Sequence, residues 1–76
     1  NDWGIALLTV AEMTNDIKMA QEAVDTLEQA IILQENVHLY WLVNYAMALD
    51  LLGDLTDEES LYEKAIEILS HVVQAS

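Results

Sequence analysis

The 76-residue chain carries one pattern twice. The segment from Trp3 to Ile17 aligns with the segment from Trp41 to Leu55 at an offset of 38, placing Leu7 over Tyr45, Val10 over Ala48 and Asn15-Asp16 over Gly53-Asp54. The segment from Ala23 to Leu33 then aligns with Glu58 to Ile68 at an offset of 35, pairing Leu27 with Tyr62, Ala30 with Ala65 and Leu33 with Ile68. The drop in offset leaves three extra residues in the first copy, near Lys18 to Ala20. A period in the mid-thirties marks stacked two-helix units, each unable to bury its apolar face alone.

Composition narrows the class further. There is no proline and no cysteine, and the two glycines are Gly4 and Gly53. With 54% apolar residues and so few turn formers, the sequence predicts an all-α chain of two stacked antiparallel helical hairpins; a closed four-helix bundle is the alternative. It forms one domain over 1–76, with repeat one at 1–36 and repeat two at 37–76. So apolar a surface on so small a domain calls for a cover outside the chain: a twin subunit, further repeats or a ligand.

The helix limits follow from periodicity and end signals. The first helix is expected from Trp3 to Thr14 with Asp2 as N-cap, closed by Asn15-Asp16. The second is expected from Asp16 or Ile17 to Gln34, with Ala20, Ala23, Val24, Leu27, Ala30 and Ile31 on one face and Glu22, Asp25 and Glu28 on the other. The third is expected from Val37 to Leu52, apolar on most sides, with Gly53 as a left-handed C-terminal residue. Thr56 and Glu59 read as a capping box for a fourth helix running to Gln74.

Charge selects partners. Fourteen acids face Lys18 and Lys64 alone, a formal charge of −12. Such a field repels phosphate, so nucleic acid and anionic membranes are expected to be excluded and basic or amphipathic proteins favoured. No apolar run reaches the roughly 18 residues of a membrane span. The chain opens on Asn1 without a targeting segment, so a fragment or processed chain in the cytoplasm is expected.

Counted from Leu39, the second copy has Ala46 at a small eighth position, Gly53-Asp54-Leu55 at the inter-helix turn, and Tyr62 and Ala65 at the aromatic and small sites of its second helix. In these features it resembles a tetratricopeptide repeat, and the first copy matches at Ala23, Leu27 and Ala30. The tryptophans sit one position early, Glu58 and Leu8 occupy usually small sites, and the closing proline is absent. The resemblance implies a module that holds another protein along the first helix of each repeat. The ligand-facing positions it implies are Tyr40, Val43, Asn44, Met47, Asp50 and Leu51 in the second copy, and Asp2, Ile5, Ala6, Thr9, Glu12 and Met13 in the first. No lysine or arginine lies among them, which points away from acidic peptides.

Other chemistry is thinner. Glu35 and His38 have a di-iron ligand spacing, but a dinuclear site needs a second such pair and further carboxylates, and Glu67 with His71 is spaced by four. Surface acid–histidine pairs are the plainer reading. No nucleophile sits beside a base, so neither an enzyme nor a cofactor is expected. Trp41, Tyr45 and Tyr62 are expected in the packing. Self-association is expected from the late apolar residues Ile66, Leu69, Val72 and Val73.

Overall fold

With no proline in the chain, a helix here ends only where another arrangement satisfies its last carbonyls. The computed structural model describes residues 2–33 and 39–75. Among them run four helices, α1 Asp2–Thr14, α2 Ile17–Ile32, α3 Leu39–Thr56 and α4 Glu59–Ala75, and no strand.

Asn15 ends α1 in the left-handed region at φ 54°, a conformation that asparagine tolerates better than most residues. Its N–H bonds Ala11 O at 2.8 Å. Asp16 follows in extended backbone, and its carboxylate accepts from the amides of Lys18 at 2.9 Å and Met19 at 3.3 Å, capping α2. The expected first turn is therefore present, with aspartate as the cap.

The second turn falls elsewhere. α3 continues through Gly53 for one further turn, and the left-handed residue is Asp57 at φ 59°. Thr56 is no N-cap: its hydroxyl donates back to Leu52 O at 2.7 Å, and Glu58 N–H closes the turn on Gly53 O at 3.2 Å. Packing outweighs the roughly 1 kcal/mol that a helical glycine costs. The extra turn lays Leu55 against the core. Gly53 itself is a point of close approach to α4 and the turn before it, since a Cβ there would lie 3.3 Å from both Glu58 O and Tyr62 Cε1.

The helices pack in chain order, α1 on α2, α2 on α3 and α3 on α4, with a smaller contact between α1 and α3. Among the described residues α4 meets neither α1 nor α2 within 8 Å between Cα atoms. A closed bundle would make α1 and α4 neighbours, so the arrangement is two stacked hairpins left open at both ends. Small residues permit the close packing: Ala11, Ala20, Ala23, Ala46 and Ala48 are wholly buried around Leu27 and Leu49. At Gly4 a Cβ would stand 2.7 Å from Leu27 Cδ2, so α1 lies directly on α2 there. Tyr45 is in the core as expected, while Trp41 and Tyr62 are half-buried.

Candidate functional site

The i, i+3, i+4, i+7 spacing puts Met47, Asp50, Leu51 and Asp54 on one stripe of α3. Together with Glu12, from α1, they line a cavity of about 190 Å³. Four of these five residues belong to the set expected to contact a ligand. Asp54 does not; it was expected in a turn, and only the extra turn of α3 brings it onto the stripe.

The cavity pairs an apolar floor, Met47 and Leu51, with three carboxylates and, among the described residues, no cation. Asp54 is fixed from behind by the Tyr62 hydroxyl of α4, which donates to its Oδ1 at 2.5 Å. That bond, with burial and the charges of Asp54, Asp50 and Asp57 adding to it, pushes the Tyr62 phenol up to about 12. A proton held more tightly in the folded chain adds stability that is fully present below the unfolded value of about 10 and is lost as pH rises through the folded value. Ultraviolet titration should therefore find the Tyr62 phenol ionising above the ordinary tyrosine range, and Asp54→Asn should return it toward that range. A titration curve left unchanged by Asp54→Asn would contradict this bond.

The remaining expected residues are not among those lining this cavity. Thr9 and Met13 are exposed on α1, with the Thr9 hydroxyl donating to Ile5 O at 3.0 Å. Ile5 is half-buried against the core and Val43 is half-buried on α3; Tyr40 and Ala6 are exposed. Asn44 departs from expectation. It is only 7% exposed, and its Nδ2 donates to Tyr40 O at 2.8 Å, one turn back in its own helix. Burial of this side chain takes it off the presented face. Glu35, Val37 and His38 lie outside the described residues, as does the side chain of Asp2.

A second cavity, about 230 Å³, opens between α2 and α4 above α3. Val24, Leu49, Leu52 and Leu61 contribute its apolar lining; Asp25, Glu28, Glu58 and Lys64 contribute charge. Tyr45 bridges it, donating its hydroxyl to Glu28 Oε2 at 3.2 Å while the Lys64 ammonium stands 5.5 Å from its ring centroid. The Tyr45 phenol, then Glu28 and Glu67, hold the Lys64 ammonium above the usual lysine range against a smaller opposing effect of burial. One of the chain's two lysines thus packs α4 on α3, while the Tyr45–Glu28 bond joins the two hairpins. Glu67 and His71 line a third cavity, about 150 Å³, with Leu42 and Ile68.

Comparison with family models, curated proteins and solved structures gives no match. No helix among the described residues is long and apolar enough to cross a membrane.

Proposed function

We propose that the chain is a tetratricopeptide-like module that holds a basic, amphipathic segment of another protein across the α1/α3 face. The observation that carries this reading is the cavity of Glu12, Met47, Asp50, Leu51 and Asp54. A lysine or arginine side chain is two things at once, an apolar stem and a cationic head. Met47 and Leu51 suit the stem and the three carboxylates suit the head. Methionine adds adaptability, so segments differing in shape can share the surface. Exposed Met13 and Tyr40 extend the apolar ground toward either end of the face. The charge of −12 speeds encounter with a basic partner more than it deepens affinity, which rests on apolar burial. The reading assigns the chain no catalysis and no cofactor.

Backbone amide spectra of the labelled chain, titrated with a lysine-bearing amphipathic peptide, test it. Shifts should concentrate at Glu12 and at 47–54, and added salt should slow capture without abolishing it. Shifts confined to α2 and α4, or stronger binding of an acidic peptide, would exclude this face.

A further inference from the structure

The two copies of the repeat use one aspartate position differently. Asn15-Asp16 corresponds to Gly53-Asp54 at the offset of 38, and Leu27 to Tyr62 at the offset of 35. In the first copy Asp16 lies between two helices, and its carboxylate accepts from the amides of Lys18 and Met19. In the second copy α3 continues past Gly53, so Asp54 has no helix start to cap and lines the α1/α3 cavity instead. Where the first copy has the hydrocarbon of Leu27, the Tyr62 hydroxyl donates to Asp54 Oδ1. The missing Cβ of Gly53 lets the Tyr62 ring come this close to α3, since a Cβ there would stand 3.3 Å from Tyr62 Cε1.

The three carboxylates of the cavity are therefore not equivalent. Asp50 and Asp54 lie one turn apart on α3, so their charges repel and each side chain gains by turning toward water. Among the described residues, Asp54 alone of the three accepts a side-chain hydrogen bond, and Glu12 is exposed on α1. The Tyr62 donor holds Asp54 in place against that repulsion. Being neutral, it leaves the carboxylate its charge, and it occupies one oxygen, so Oδ2 keeps its lone pairs for a ligand. A carboxylate ordered in advance loses less freedom when a cation arrives. We infer that Asp54 is the anchoring carboxylate of the α1/α3 face and that Tyr62, which does not line the cavity, is its positioning residue, so that α4 sets the affinity of a face built by α1 and α3. The inference rests on the binding reading and names the group in it that receives the ligand's cation.

Calorimetric titration of the whole chain with an amphipathic helical peptide bearing a single lysine tests this, alongside Tyr62→Phe, Asp54→Asn and the two together. Tyr62→Phe keeps the ring and removes the donor, and should weaken binding about threefold to tenfold, the range for leaving one side chain to be ordered on binding. Asp54→Asn should weaken it by about tenfold or more, as loss of an anchor does. Adding Tyr62→Phe to Asp54→Asn should then cost nothing further, since no charge is left to position. Glu12→Gln removes the same charge from the cavity without removing the anchor, and should stay within about threefold. Thr56→Val is the structural control. It deletes the hydroxyl bond to Leu52 O in the last turn of α3 without touching the cavity, and should leave the affinity unchanged. In proton spectra of the original chain the Tyr62 ring signals should move when the peptide binds, and in Asp54→Asn they should stay still. Equal losses from Thr56→Val and Tyr62→Phe would reduce Tyr62 to a part of the turn and overturn the inference. So would an affinity that Tyr62→Phe leaves unchanged, or losses that add in the double variant; in these cases the peptide still binds and the α1/α3 reading stands. Absence of binding to the original chain would overturn both.

Discussion

Leu27→Ala should lower the folding stability by about 3 kcal/mol. Leu27 has no exposed surface and faces α1 from α2, with its Cγ 2.8 Å from where a Cβ on Gly4 would stand. The core that Leu27 belongs to includes Ala11, Ala20 and Ala23. None has a side chain that can extend, so the void stays open and the loss falls well above that of a site able to collapse. Since a domain of this size is stable by only about 5 kcal/mol or somewhat more, such a change should shift the urea midpoint severely. Leu33→Ala is the control. Leu33 is the C-cap of α2 and 77% exposed, so its truncation should cost no more than about 0.5 kcal/mol. Comparable losses from the two would contradict the packing described.

The hairpins were legible because their signals are local and physical. Alternating apolar positions at three and four residues define α2 and α4 whatever packs on them. Asn15-Asp16 names its own turn through a left-handed asparagine and a capping carboxylate. The second turn was not legible, because glycine signals permission rather than obligation. Gly53 read as a helix end, yet its missing Cβ serves the close approach of α4, and the helix continues because Leu55 gains burial. That one displaced turn also hid Asp54, whose place on the cavity depends on the helix reaching it.

Asn44 and Lys64 illustrate a different limit. Position along a repeat puts Asn44 on the presented face, but whether an amide turns outward depends on the space beside it, and here it is buried with its nitrogen given to Tyr40 O. The bridge from Glu28 through Tyr45 to Lys64 joins three helices. No spacing within a single helix encodes such a contact, so it emerges only from the stacking. Conversely, four of the cavity residues, Glu12, Met47, Asp50 and Leu51, were named through the resemblance to a tetratricopeptide repeat, which implies those positions on the first helix of each copy.

The second large effect concerns the binding face. Met47→Lys and Glu63→Gln each change the net charge by one unit in the same direction, so the long-range attraction for a basic partner falls equally in both. They differ in place. Met47 lines the α1/α3 cavity, whereas Glu63 is exposed on α4, which does not touch α1. A lysine at 47 removes the apolar floor and puts an ammonium among Glu12, Asp50 and Asp54, where the partner's own cation should lie. Affinity for a lysine-bearing amphipathic peptide should drop by roughly tenfold to a hundredfold, the range for losing an anchor at the centre of an interface. Glu63→Gln should stay within about twofold, as expected for an exposed charge away from the contact. Calorimetric titration of one such peptide into the original chain and both variants is the most direct test. A large loss confined to Met47→Lys is the predicted result, and equal losses in the two variants, or none in Met47→Lys, would contradict the assignment of the α1/α3 face.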